Sequence, residues 1–522
     1  MTERAVRFAC LLAFTGSLAY GANLTIQGVN RAEFWAYRDS WATHAEEKMD
    51  LNLKYGDLNG GLGLFLFEPS QPWTTAKKPV RFFDYTVAYS PKQLEILYGK
   101  FYQTFGKGLT LRAYSDDDFR HYKSLNGLRG TAHLPFSTDL VLLGARLRDL
   151  FFQEGTYKLM NATDTTDQVL GADLSSRPFE WGGLGARYVR VNRDSTKDVT
   201  AKAFTELYGG NVSATLGPVD FYGEVCQRLG TKPGVGGRDR GLGYYMSATA
   251  AFSGYSVVGQ FMDYDKIAFP TGVYHWNDPP TPVLSGVALN RGENERGFGI
   301  VATATPVGTF YLEGSYGRLY KRGPWTPVSG GDFRHDIITD WHEWLLCEGT
   351  GTGVVEWEGK SRYALGDAWN FEAKFNHMVQ QNVELHVLSR ATNMPTVHVN
   401  YLAGSHTFVF EGEYDFVTER RDDEPSPQDS FRKYHESALT FSYGYGVALL
   451  FTVGLQHVDQ KLDIRYAGQQ TWPMFEAVWN ITERNVLRVR VGGEKGGYTC
   501  SGGVCRFESP FTGAKLQLIS RF

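Results

Sequence analysis

The chain has 522 residues, 53 basic and 57 acidic, with a formal charge of −4 and a mean hydropathy of −0.32. That balance supplies no basic field for nucleic acid, so none is expected as a partner, and no apolar run of about 18 residues follows the amino-terminal segment, which excludes helical membrane spans. With 14% aromatic residues, including 29 Tyr and 34 Phe, and with 59 Gly, two strand-built classes remain: a membrane barrel with aromatic girdles or a soluble secreted propeller or sandwich.

Residues 1–21 read as an export signal. Arg4 and Arg7 form a basic start, Phe8 to Ala19 is mostly apolar, and Ala19-Tyr20-Gly21 offers a small-x-small cleavage site. The run is too short for a membrane anchor, and Cys10 lies at its start, a poor lipoprotein position. Residues 22–522 then form one domain, with no Pro/Ser-rich linker and no repeat of fixed period. Strand-like sequence begins near Leu24, so no plug domain is expected ahead of it, which argues against a TonB-dependent receptor. No carboxy-terminal peptidoglycan-binding domain is read either.

Residues 98–114 read YGKFYQTFGKGLTLRAY and are followed by Ser115-Asp116-Asp117-Asp118 and Leu128-Arg129-Gly130. Gly99, Gly106 and Gly108 permit tight turns. Phe101, Tyr102 and Phe105 are candidate anchors, and Lys107, Arg112, Asp116, Asp117 and Asp118 bring charge of both signs. One reading is a turn or inward loop held by salt bridges to lumen carboxylates such as Glu411 and Glu413. The other, compatible with it, is a constriction that selects solutes by charge and size. The pattern Gly99, Phe101, Tyr102, Phe105, Gly106, Gly108, Leu109, Leu111, Arg112 resembles a motif in a family of uncharacterised bacterial outer-membrane β-barrel proteins. A second, abbreviated match runs through Pro279-Pro280-Thr281, Leu289-Asn290-Arg291, Glu295 and Gly297-Phe298. The resemblance implies an outer-membrane barrel and little about activity.

Further along, period two dominates. Val219/Phe221/Val225 opposes Asp220/Tyr222/Glu224. Trp369, Phe371, Ala373 and Phe375 oppose Asn370, Glu372, Lys374 and Asn376. Val383/Leu385/Val387 opposes Glu384/His386. Phe408, Phe410, Gly412, Tyr414 and Phe416 oppose Thr407, Val409, Glu411, Glu413 and Asp415. Val447, Leu449, Phe451, Val453 and Leu455 oppose Ala448, Leu450, Thr452, Gly454 and Gln456. Leu487/Val489/Val491 opposes Arg488/Arg490. One face therefore meets an apolar medium and the other meets water or polar groups. So many charges on the second face indicate a large barrel with lipid outside and a polar lumen within. Closure pairs every backbone group without an edge in hydrocarbon. At ~20 residues per strand and connection the chain gives roughly 22–26 antiparallel strands. Residues 103–125, 160–177, 267–296, 321–336 and 419–432 break the alternation and are loop candidates, either outside the membrane or folded into the lumen.

Near the end, Cys500-Ser-Gly-Gly-Val-Cys505 suits a disulfide-stapled loop in an oxidising compartment, with no nearby His for zinc. Cys226 and Cys347 are a further possible pair. In the last ten residues Leu516, Leu518 and Phe522 share one face, and Lys515, Gln517 and Arg521 the other. A final strand ending on an aromatic residue resembles the closing strand of bacterial outer-membrane barrels. That resemblance implies recognition by the barrel-assembly machinery and a location in the outer membrane of a Gram-negative-type bacterium, with lipid as the surrounding partner.

No catalytic constellation emerges. Phe105-Gly106-Lys107-Gly108 lacks phosphate-loop spacing, and His342-Glu343 lacks a second His at 346. Asp116–Asp118 lacks calcium-loop alternation, and Gly314-Ser315-Tyr316-Gly317 is strand rather than nucleophile elbow. Neither enzymatic activity, cofactor nor metal is expected. The leading function is a porin-like channel or structural barrel for small hydrophilic solutes, with Glu372, Glu411, Glu413, Arg488 and Arg490 lining the lumen. The alternative is a surface binding or assembly component that recognises a glycan or partner protein through Tyr274, Trp276, Trp325 and Trp341. A secreted β-rich carbohydrate-active enzyme stands third.

Overall fold

The computed structural model describes residues 24–38, 43–69, 80–116, 121–153, 158–161, 168–192, 204–231, 238–267, 277, 279–281, 295–321, 353–381, 387–421, 431–459, 470–501, 504–508 and 511–522. The proposed signal, residues 1–21, lies outside them. Twenty-four strands form a closed antiparallel barrel, and no helix occurs among the described residues. Each strand pairs with its neighbours in sequence, from Leu24–Tyr37 round to Phe511–Arg521. The ring closes where the first strand meets the last in the register Val29↔Arg521 to Tyr37↔Gly513.

Closure is completed by the terminal residue. Gly28 N–H donates to the Phe522 carbonyl at 2.8 Å, and Phe522 N–H donates to the Gly28 carbonyl at 3.0 Å. A Cβ at position 28 would sit 2.6 Å from the Phe522 ring, so this glycine makes room for the ring against the first strand.

The two ends differ. At one, strands are joined by tight turns such as Tyr55–Leu58, Leu216–Val219, Ala403–His406 and Thr482–Asn485. At the other, connections are long, as between Lys321 and Gly353. Short turns mark the periplasmic end of such barrels and long loops the external end.

The period-two pattern resolves as expected. Phe410 is 44% exposed and Trp369 is 38% exposed on the outside, with Phe371, Phe416, Phe441, Phe451, Phe475, Leu516 and Leu518. Close to the short turns Phe371, Trp369, Tyr401, Phe408 and Tyr443 form a row of ring contacts across four strands, with centroids 4.3–6.1 Å apart. Such a row is an interfacial girdle. A compact soluble body with these residues inside, which the secreted-enzyme reading requires, is not what the chain builds.

The loop expectations are corrected where wall strands run into them, at 295–296, 419–421 and 431–432 and over two longer stretches. Residues 168–177 belong to the strand Gln168–Phe179, and residues 121–125 to His121–Leu134. Val169, Gly171 and Asp173 of the first are lumen-facing and covered: Val169 and Gly171 meet the apolar hairpin cluster, and Asp173 meets Arg187.

Candidate functional site

Between the strands Leu94–Phe101 and His121–Leu134 the chain turns inward. Two short strands, Gln103–Phe105 and Leu111–Ala113, pair as a hairpin apart from the wall sheet. While pairing with His121–Leu134 runs on to Phe101, Gly99 is the last residue paired with the strand Val80–Tyr89. Its φ is +111°, and a Cβ there would lie 2.2 Å from the Tyr85 carbonyl oxygen. The hairpin then packs back on the wall. Phe105, Leu109, Thr110 and Leu111 are 0% exposed. Phe105, Leu109 and Leu111 join Leu125, Leu143, Leu147, Val169, Val189, Leu207, Met262 and Ile267 in one cluster. Each side chain so covered contributes about 1.5–3 kcal/mol. An apolar patch on the lumen side of these strands would be costly in water, and the hairpin is what covers it.

The hairpin tip meets charge. Lys107 N–H donates to Glu224 Oε2 at 2.8 Å. Glu224 Oε1 lies 3.0 Å from Arg187 Nη1. Arg187 Nε donates to Asp173 Oδ1 at 2.7 Å, and its Nη2 to Asn211 Oδ1 at 2.5 Å. Tyr222 donates its hydroxyl proton to Glu224 Oε2 at 2.5 Å and lies under the Lys107 ammonium, 5.5 Å from the ring centroid. Arg187, Glu224 and Asp173 are all buried, so the pairing is what makes their burial tolerable. Behind the hairpin, Asn277 Nδ2 donates to the carbonyls of Leu109 at 2.8 Å and Ile267 at 2.9 Å. Tyr264 donates to the Pro280 carbonyl at 2.7 Å. Asn277, two residues ahead of the second segment singled out by sequence pattern, thus reaches the first at Leu109.

The inward placement of residues 103–116 agrees with one of the two sequence expectations, but its fastening differs. The carboxylate is Glu224, not Glu411 or Glu413. The strand Val219–Thr231 is six places round the ring from Leu94–Phe101, whereas His406–Arg421 is fourteen places round, on the far side. The apolar residues of the hairpin hold it to the nearer wall.

Other expected residues fall as follows. Tyr102 is partly exposed beneath the Lys100 ammonium, 5.4 Å away. The Arg112 guanidinium lies 4.6 Å from the Tyr114 ring. Asp116 ends the strand Ser115–Asp116, paired with His121; Asp117 and Asp118 lie outside the described residues. Glu372 on the lumen wall pairs with Lys360 at 3.2 Å and with Arg362. Lys374 pairs with Glu358 at 2.8 Å. Arg490 contacts Glu476 at 2.5 Å and also Glu494, and Arg488 stands 3.9 Å from Glu476. Glu411 and Glu413 are exposed opposite His398 and Thr396. Cys500 and Cys505 face each other in the hairpin register. Cys226 is a buried free thiol, while Cys347, Glu384, His386, Tyr274, Trp276, Trp325 and Trp341 lie outside the described residues.

Sequence reasoning missed Arg187, Asp173, Asn211 and Asn277. A signal existed: Leu140-Val-Leu-Leu143 is apolar on both faces, which marks a wall strand covered from within.

A closed even-stranded barrel with an apolar exterior, an aromatic girdle, short turns at one end and ions inside has one home. It is an outer-membrane β-barrel. Residues 36–273, a little under half of the chain, match the model of a family of unknown function (DUF6029). The match contains the inward segment and stops short of Pro279–Phe298. No curated protein matches the chain. Among solved structures, this barrel is similar to the siderophore receptor PirA from Pseudomonas aeruginosa, at 8% identity, covering 95% of this chain and 80% of that one, TM-score 0.47. It is also similar to the translocation pore of the P pilus usher (PapC), at 7% identity, covering 95% and 99%, TM-score 0.46. A third is OccK5 (OpdH) from Pseudomonas aeruginosa, at 10% identity, covering 76% and 97%, TM-score 0.38. The outer-membrane barrel described above stands on its own strand pairing and faces.

Proposed function

We propose that this outer-membrane barrel is a passive channel for small hydrophilic solutes, narrowed on one flank by the inward hairpin. One observation carries the reading: the hairpin covers the wall from about Leu125 to Ile267, while the wall beyond it is lined by interleaved ions, Lys360–Glu372–Arg362, Lys374–Glu358 and Arg490–Glu476. Twenty-four strands about 4.8 Å apart and tilted ~40° enclose roughly 45–50 Å between backbones if round. A hairpin of this size narrows such a space without filling it. Charged walls facing each other favour hydrated solutes over apolar ones. No catalytic role is assigned.

We also infer that Phe522, seated at Gly28, is the feature an assembly machinery reads, and that Cys500 and Cys505 form a disulfide. Purified protein in planar bilayers should give discrete steps of conductance. Silence across voltage and salt would remove the channel and leave a structural barrel.

A further inference from the structure

A cavity of about 280 Å³ lies at the short-turn mouth, below the docked hairpin tip. We propose that it is a saccharide subsite, in which a pyranose ring stacks on Trp181 while its hydroxyl groups bond to Asp220, Arg177 and the Ser/Thr wall. The proposal rests on the channel reading and names its substrate class.

Local backbone geometry creates the site. The register between Gln168–Phe179 and Gly182–Asn192 shifts between Ser176 and Phe179, a stretch that holds Arg177 and Pro178. A bulge of this kind re-aims side chains. Thr215 N–H donates to the Trp181 carbonyl at 2.7 Å, which holds the turn residue Trp181 beside Thr215. Trp181 lines the cavity there, together with Ser213, Asp220 and Tyr222. Phe179 stacks on it, with centroids 5.2 Å apart and rings 9° from parallel. Both rings are 56% exposed. They are not buried as a core pair would be, and they line the cavity together with hydrophilic neighbours.

Those neighbours define the ligand. Asp220 accepts from Thr215 Oγ1 at 2.7 Å and is itself exposed. Among the described residues no carboxylate pairs with the Arg177 guanidinium. Ser247 completes the hydroxyl-bearing wall. A flat apolar surface rimmed by donors and acceptors suits a molecule with one apolar face and a girdle of hydroxyls. A fatty chain would leave the rim without partners, and burying such groups unpaired is costly. A sugar ring satisfies both parts.

The test is made on the full chain in planar bilayers, with maltotriose, cellobiose or N-acetylglucosamine added on the short-turn side. At least one should reduce the ion current saturably. Trp181→Ala should raise the half-blocking concentration at least tenfold, and Asp220→Asn several-fold. Conductance without saturable block by any of the three would overturn the subsite and leave the channel intact. Unchanged block in both variants would overturn it too and make the ring pair part of the interfacial girdle. If no conductance is seen, equilibrium dialysis of the same sugars against detergent-solubilised protein decides the subsite separately, and absence of Trp181-dependent binding sinks it.

Discussion

Replacing Gly106 with Ala tests how the hairpin is fastened. Gly106 has φ +58°, and its added Cβ would lie 2.2 Å from Arg187 Nη1 and 2.6 Å from Glu224 Oε1. The left-handed backbone costs an alanine about 1 kcal/mol. The ion pair behind it must also shift, which removes the Lys107 N–H bond to Glu224. A hydrogen bond to a charged group contributes about 1.5–3 kcal/mol. Together the substitution weakens docking of the tip by about 3 kcal/mol, which is about a hundredfold in the open population. Thr110 is 0% exposed and touches the wall at Gly209, so it reports on that opening. In a chain with its native cysteines replaced by serine, Thr110→Cys should react slowly with a small maleimide, and about a hundred times faster once Gly106→Ala is added. Single-channel records should show added current noise over the same range. Equal labelling rates with and without Gly106→Ala would refute the assigned latch, because the Cβ could then be accommodated without disturbing the ion pair.

Arg187→Met leaves Asp173 and Glu224 buried without their cation and should cost 3–5 kcal/mol or so, read as a lower temperature for the heat-dependent gel shift; adding Glu224→Gln should recover part of that loss. Glu411→Gln with Glu413→Gln removes two exposed lumen carboxylates and should shift the reversal potential in a salt gradient toward anions, with little change in the gel shift; an unmoved potential would place the current path elsewhere. Phe522→Ser, or a bulky residue at Gly28, should lower the yield of folded barrel in the membrane fraction several-fold while the fraction that folds keeps its conductance. Cys500 and Cys505 should resist thiol labelling until reduced, and labelling without reductant would exclude the disulfide.

The barrel was legible because lipid and water impose opposite demands on alternate residues. Phe408/Glu411 and Leu487/Arg488 carry that contrast in the sequence, and closure follows from the need to pair backbone in hydrocarbon. The turn residues at 99–108 were also legible, since Gly99, Gly106 and Gly108 all take positive φ. Loop limits were less so: residues 168–177 looked polar and irregular yet form wall strand, because their lumen face meets the hairpin rather than water.

The sequence by itself determined the two-faced strand, the single large ring and the candidate anchors of residues 98–114, since all of these depend on local alternation and backbone permission. Only the tertiary structure decided which wall receives the hairpin, that Glu224 and Arg187 rather than Glu411 and Glu413 hold its tip, and that Asn277 closes over Leu109. Those contacts join residues more than a hundred positions apart. They follow from the circumference of the ring and from the apolar patch the hairpin covers, and neither is written in a local spacing.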